Sequence, residues 1–316
     1  MEWINDDFIR RHVSYPELMG ALKSGFAENT VQCPPKLVYT YTNHRDLEKN
    51  TALVMPAWDN TDFFGLKMVT ATPGNKHGDT PYLNGTYQLF NANTGIPILA
   101  MDAKLLTNMR TAATSTLASK LLAGSHASSV LILGNGALAP FYVEAYGALP
   151  SVKNIYVWGR NFEMSQHLAK DTTIGAQLEA VQNYREYTEG VDIIVSITSS
   201  KEPLIYPHYL GVGQHYDLVG SYTTDMAEFS GEVLANCSVF VDNRDVTPDH
   251  SGEFAQALEQ GFIRRDHIKG DMAQLCKNGY VRTSREECTL FKSTGMALED
   301  LVMARLIFKK YTDARQ

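Results

Sequence analysis

Two glycines and an alanine, Gly134, Gly136 and Ala139, stand at G-x-G-x-x-[GA] spacing in the run VLILGNGALAPF. In such a run the first glycine permits a tight turn out of a strand, and the second lets backbone approach a pyrophosphate. The third small residue lets the next helix pack on the strand, and that helix aims its N-terminus at the anion. Pro140 falls close to the first helical position, where its missing N–H costs nothing. An apolar strand precedes the glycines, a helical stretch (140–148) follows, and a second strand starts near Ile155. A dinucleotide is therefore the expected ligand, with a plain structural turn as the alternative. After the second strand the chain reads Trp158-Gly159-Arg160-Asn161, with no acid before Glu163. An NAD site places an acid there for the ribose 2′-OH, whereas an NADP site places cations around a 2′-phosphate. The expectation is NADPH over NADH, with Arg160 on the phosphate or adenine and Asn161 donating. The alternative is a solvated surface arginine.

Two further cations could handle a small anion. Lys67 lies among apolar residues in the extended run FFGLKMV, and an inward lysine there needs an anion or loses its charge. Alternation puts Phe63, Gly65, Lys67 and Val69 on one face and Phe64, Leu66 and Met68 on the other, leaving open which is buried. Arg110 follows Thr107, a good N-cap for a helix over 107–123. A guanidinium near a helix N-terminus opposes the dipole, and a substrate carboxylate taking a bidentate pair from Arg110 would reconcile the two. An ion pair with an acid such as Asp102 is the other reading. Thr198-Ser199-Ser200, after the apolar run IIVSI, and Ser293, before the last helix, stand near strand ends where open α/β sheets bind ligands. Each residue type also serves turns and caps. His77, His215 and His250 fall in loop-like stretches without metal or triad spacing and read as structural or surface residues.

The elements that must hold these residues change character near residue 124. Before it, Lys36–Thr42, Thr51–Met55, Phe63–Ala71 and Gly85–Asn91 alternate with Pro- and Gly-rich turns, the pattern of an antiparallel sheet. Helices over 15–27 and 107–123 flank it, the first spacing Leu18, Leu22 and Phe26 on one face. From Ser128, short apolar strands (130–133, 155–158, 193–197, 216–219, 239–242) alternate with helical stretches, as in a parallel sheet covered on both faces. A last helical stretch spans 293–311. The chain of 316 residues carries 28 basic and 35 acidic residues, a formal charge of -7. That balance disfavours nucleic acid as a partner. The four cysteines, Cys33, Cys237, Cys276 and Cys288, have no metal-ligand spacing, so no metal is expected and the thiols read as reduced. The first residues carry acids rather than a signal-peptide core, and no apolar run reaches the roughly 18 residues of a membrane span. A cytoplasmic protein with no membrane association is expected.

Segments on both sides of the change resemble the ornithine cyclodeaminase/mu-crystallin family: LVMPAW (53–58), GLKMVTATPGN (65–75), NTGIPILAMDAKLLTNMRTAATSTLASKLLA (93–123), LILGNGALA (131–139), VDIIVSITSSKEPLI (191–205), HYDLVGSY (215–222) and TLFKSTGMALEDL (289–301). RTAATS and FKSTGMALEDL are far more specific than the glycine run. The resemblance implies an α/β protein: an α+β substrate-binding and dimerisation domain over 1–123, rejoined by a C-terminal helix over 300–316, and a Rossmann NAD(P)-binding domain over 124–299. It also implies a homodimer and a small imino or amino acid held beside a nicotinamide. Lys67 matches the family's active-site lysine, and Arg110 matches its carboxylate-gripping arginine. Lys36 stands where the family has an arginine, which keeps the charge and loses the fork. With the glycine loop (Gly134, Gly136, Ala137, Leu138, Ala139), Arg160 and Asn161, the implied cofactor contacts include Thr86, Thr198, Gly220 and Ser293. Cyclodeaminases place an aspartate two residues after the glycine of the VGSY segment; this chain has Tyr222 there, with Asp225 nearby as a substitute. The departure points to a reductase of Δ1-pyrroline-2-carboxylate, giving proline, or of Δ1-piperideine-2-carboxylate, giving pipecolate. Ornithine cyclodeaminase, alanine or N-substituted amino-acid dehydrogenase and a mu-crystallin-like ligand binder are the alternatives.

Overall fold

The turn-punctuated first part of the chain forms a six-stranded sheet in a computed structural model, which describes residues 1–44, 47–60, 62–77, 80–221 and 223–316. Tyr222 and the side chain of His77 lie outside the described residues. The strands are β1 (Glu2–Ile4), β2 (Leu37–Thr42), β3 (Lys49–Trp58), β4 (Phe63–Ala71), β5 (Leu83–Asn91) and β6 (Pro97–Asp102), in the order β1-β6-β5-β4-β3-β2. Neighbours run antiparallel except β1, which pairs parallel with β6. β3 runs on through Pro56 because its β2 partner ends opposite Val54, so no β2 ladder bond needs the missing N–H. Helix α1 (Asp6–His12) precedes α2 (Tyr15–Glu28), which starts where Glu17 accepts from Ser14 N and Oγ and buries Leu18, Leu22 and Phe26.

Helix α3 (Ala103–Leu122) starts a turn earlier than expected. Asp102, not Thr107, serves its first turn, accepting from Lys104 N at 2.5 Å and Leu105 N at 3.4 Å. Arg110 is therefore two turns inside the helix, away from the terminal dipole, and Asp102 is a cap rather than its partner. The chain divides into two compact units, Met1–Thr111 with Met296–Gln316, and Ala112–Gly295. The division thus falls inside α3 rather than at 123/124, and the return begins at Met296 rather than 300.

The second unit is an eight-stranded parallel sheet built in chain order from β7 (Ser129–Leu133), α4 (Ala139–Gly147), β8 (Asn154–Trp158), α5 (Phe162–Asp171), β9 (Gln177–Ala180), β10 (Ile193–Ser196), β11 (His215–Leu218), α6 (Gly231–Ala235), β12 (Ser238–Val241), α7 (Thr247–His250), α8 (Gly252–Glu259), β13 (Ile268–Asp271), α9 (Met272–Asn278) and β14 (Thr289–Lys292). The order is β13-β12-β14-β11-β10-β7-β8-β9. The chain runs outward from β7 to β9 and then returns to the other side of β7 as β10. That reversal makes β7/β10 the switch point, where open α/β sheets bind ligands. His215 opens β11 and is fully buried, not in a loop; burial pushes its imidazole down to about 3, and Nδ1 lies 2.9 Å from Thr289 Oγ1. The last helix, α10 (Ala297–Asp313), returns to the first unit and packs on α2, β3 and β4.

Candidate active site

In the first unit, β4 settles which of its faces is covered: Gly65 and Lys67 are buried while Met68 is exposed. One row across the sheet reads Met55, Lys67, Tyr87, Met101. A Cβ at Gly65 would lie 1.9 Å from the Tyr87 hydroxyl, so glycine there makes room for the end of the Tyr87 side chain, which pairs across the sheet with Lys67. Lys67, only 2% exposed, places Nζ 2.7 Å from Asp300 Oδ2 and 3.4 Å from Thr107 Oγ1. Arg110, 4% exposed, donates from Nε to Asp300 Oδ1 at 3.0 Å and from Nη1 to Glu299 Oε2 at 2.6 Å. The other Glu299 oxygen accepts from Met296 N at 2.9 Å and so caps α10. Two cations and two anions thus form a buried, formally neutral chain of contacts, Lys67–Asp300–Arg110–Glu299.

Burial pushes Lys67 down to about 8; Asp300 pulls against it and Arg110 adds to the depression. Burial also opposes the charge of Arg110, but Glu299 and then Asp300 outweigh it and hold the guanidinium above its ordinary value. Lys67 is thus poised to give up a proton near neutral pH, while Arg110 is a permanent cation. Lys36 is half-buried and lies one residue before β2, whose first pair is Leu37 with Val54. Thr86 pairs with Met68 and Asp102, on the face turned away from Lys67. Glu299 and Asp300 were not among the expected site residues.

In the second unit, Gly134 takes φ +121°, and a Cβ there would meet Ile197 at 2.9 Å. Around Gly136 a Cβ would find nothing within 4 Å, which is the open approach a pyrophosphate needs. Gly136 and Ala137 are exposed, Leu138 is the half-buried N-cap of α4 without a side-chain cap bond, and Ala139 is buried against the sheet. Pro140 occupies the first turn. Asn135, which the motif left unassigned, donates to Asn161 O at 2.6 Å and Ser165 Oγ at 2.9 Å, tying the glycine turn to the first turn of α5. Arg160 is exposed there, while the Asn161 side chain accepts from Met164 N at 3.4 Å and caps α5. These features fit a dinucleotide.

Thr198 and Ser293 spend their hydroxyls within the protein, Thr198 on Glu228 at 2.8 Å and Ser293 on Asp242 at 3.1 Å. A Cβ at Gly220 would lie 1.7 Å from Thr198 O, so the turns after β10 and β11 touch through the glycine. Asp225 is exposed, 2.7 Å from Lys201 Nζ and accepting from Thr223 Oγ1 at 2.6 Å. The Lys201 hydrogen bond, ahead of the Thr223 bond, draws its carboxyl down to about 2, which makes it a poor base.

A parallel sheet with an open glycine turn at its switch point, and a second sheet unit carrying a buried lysine–carboxylate–arginine cluster, define a two-unit nucleotide-dependent α/β protein. The chain belongs to the ornithine cyclodeaminase/mu-crystallin family, whose sequence model matches residues 6–315. It is 30% identical to Delta(1)-pyrroline-2-carboxylate reductase of Colwellia psychrerythraea, over 99% of this chain and 100% of that one. The structure of Thermococcus litoralis Delta(1)-pyrroline-2-carboxylate reductase, in complex with NADH and L-proline, has the same fold, with TM-score 0.89, 24% identity and coverage of 99% and 98% of the two chains. An archaeal alanine dehydrogenase dimer with bound NAD is similar at TM-score 0.88 and 25% identity, covering 100% of this chain and 97% of that one.

Proposed function

We propose that this protein is an NADPH-preferring reductase of a small cyclic imino acid, converting Δ1-pyrroline-2-carboxylate to L-proline and accepting Δ1-piperideine-2-carboxylate to give L-pipecolate. The observation that carries the reading is the buried Lys67–Asp300–Arg110–Glu299 cluster, a formally neutral site whose lysine is pushed down to about 8. Family membership and the similarity to a pyrroline-2-carboxylate reductase support it. The substrate is a carboxylate joined to a basic imine nitrogen, so its protonated form adds no net charge to a neutral cluster. Arg110 and Lys36 take the carboxylate, and Lys67 holds a proton at Nζ for the ring nitrogen. Gly134, Gly136, Ala139 and the N-terminus of α4 hold the pyrophosphate of the dinucleotide, with Arg160 at its 2′-phosphate. When bound, the dinucleotide supplies the hydride that adds to C2. The hydride forms the new C2–H bond as the C=N π pair returns to nitrogen, and the proton from Lys67 then goes to that lone pair to give the ammonium form of the product.

The first unit then serves as the substrate and dimerisation domain and the second as the cofactor domain. β2, at the sheet edge, exposes Leu37, Val38, Tyr39 and Tyr41, an apolar strand that a second copy would cover in a homodimer. Among the described residues the four cysteines form no disulfide, which suits the reducing cytoplasm. Among the described residues no helix is long and apolar enough to cross a membrane. The test is oxidation of NADPH and NADH with each cyclic imino acid. Steady turnover of a ring ketimine is expected; robust ammonia release from ornithine, or binding of ligands without turnover, would overturn the reading.

A further inference from the structure

We propose that Glu228 is a positioning residue for the dinucleotide site, its buried carboxylate fixing the turns after β10 and β11 and, through them, the floor of the glycine turn. The proposal rests on the cofactor reading above. Glu228 is fully buried, and its Oε1 accepts from Ser196 Oγ at 2.6 Å, Thr198 N at 2.6 Å and Thr198 Oγ1 at 2.8 Å. Its Oε2 accepts from Gly220 N at 2.7 Å. One side chain thus clasps the ends of two adjacent strands beside the switch point. The clasp is tight: a Cβ on Gly220 would meet Glu228 Oε1 at 2.6 Å as well as Thr198 O.

The residue before Thr198 carries the effect to the cofactor turn. Ile197 N donates to Leu133 O at 2.9 Å, and the Ile197 side chain and carbonyl carbon lie where a Gly134 Cβ would stand, at 2.9 and 3.1 Å. Moving Thr198 therefore moves the surface against which the glycine turn is folded. Glu228 is itself held by a second buried carboxylate: Glu228 N donates to Glu253 Oε1 at 2.8 Å. Glu253 Oε2 accepts from Ser221 Oγ and, at 3.1 Å, from Ser251 Oγ, and lies 3.4 Å from Lys292 Nζ. Lys292, fully buried at the end of β14, also donates to Ser221 Oγ at 2.6 Å. The ends of β10, β11 and β14 are joined in one network that the reduction chemistry does not use.

Both Glu228 oxygens face a backbone N–H that can only donate, so a carboxylate satisfies the site and an amide does not. In Glu228→Gln the NH₂ group opposes either Thr198 N–H or Gly220 N–H, whichever way it turns. The test is titration of NADPH and NADH by fluorescence against wild type, Glu228→Gln and Glu228→Asp, at a temperature where melting curves show all three folded. Glu228→Gln is expected to weaken both cofactors by about tenfold, the scale of one charge-assisted hydrogen bond, with Glu228→Asp in between. A lowered Tm with both affinities within about twofold of wild type would make Glu228 a purely structural residue and overturn the proposal. If Glu228→Gln does not fold, Ser196→Ala removes one donor from the same carboxylate; weaker cofactor binding supports the proposal and unchanged binding overturns it. A wild-type protein that binds neither cofactor would instead overturn the cofactor reading on which the proposal rests.

Discussion

Asp300 stands between the two cations of the first unit, one oxygen 2.7 Å from Lys67 Nζ and the other accepting from Arg110 Nε at 3.0 Å. Burial alone would leave Lys67 neutral over a wide range, and Asp300 restores part of its charge. A proton held at Nζ is present below about 8 and lost above it, so kcat/KM should fall as pH rises through that value. Asp300→Asn keeps an acceptor for Arg110 and removes the charge beside Lys67. It should move the alkaline limb of the kcat/KM profile downward by about 1–3 pH units, the effect of an opposite charge at contact. An unmoved limb in a folded Asp300→Asn protein would mean that Lys67 does not carry the titrating proton.

Arg110 now has a structural partner set as well as a proposed substrate. Arg110→Ala should raise KM for the imino acid through the lost carboxylate contact. It should also strand Glu299 and Asp300, both fully buried, without their shared cation. Removing one partner of a buried ion pair costs about 3–5 kcal/mol, which urea denaturation would register as a lower midpoint. Lys67→Ala should instead depress kcat by about 10²-fold or more, the scale of a positioned acid–base group. A stable, fully active Lys67→Ala protein would remove Lys67 from the chemistry.

Much of this arrangement was legible in the sequence, and the exceptions have physical reasons. β4 runs over Phe63–Ala71 as the alternation indicates, and the glycine loop lies between β7 and α4 as its spacing requires. The burial of Lys67 was not decidable, because both faces of β4 carry apolar residues and only the return of α10 selects one. Glu299 and Asp300 are not legible as site residues because acids in a first helical turn satisfy the dipole locally and look like ordinary caps. Their partners are 189 and 190 residues away in the chain. Thr107 reads as a cap from its residue type, but Asp102, earlier in the chain, competes for the same role and wins. Among the strands, β9 (QLEA) and β13 (IKGD) carry too few apolar residues to stand out, since outer strands need less burial on both faces.

Cofactor choice should follow Arg160. It is exposed at the end of β8, where an NAD site would set an acid, and Glu163 stands beyond it in the first turn of α5. NADPH should bind more tightly than NADH, and Arg160→Ala should weaken NADPH by about tenfold, one charged hydrogen bond, while leaving NADH nearly unchanged. Paired titrations of both cofactors check this. Equal affinities in the unmutated protein would assign Arg160 to the solvated surface.

The two glycines of the loop should separate stability from binding. Gly134 sits at φ +121° with Ile197 2.9 Å from the site of a Cβ, so Gly134→Ala pays for strain and contact together. About 1–3 kcal/mol is the usual cost of a side chain in such a backbone region, and the melting temperature should drop accordingly. Gly136 lies in ordinary backbone territory, and a Cβ there meets nothing within 4 Å. Gly136→Val should therefore melt like wild type yet lose dinucleotide affinity, because its side chain fills the space reserved for the pyrophosphate. Fluorescence titration of NADPH beside a thermal melt reads both quantities on one sample. A Gly136→Val protein that binds NADPH as tightly as wild type would mean that the open side of this turn is not where the dinucleotide lies.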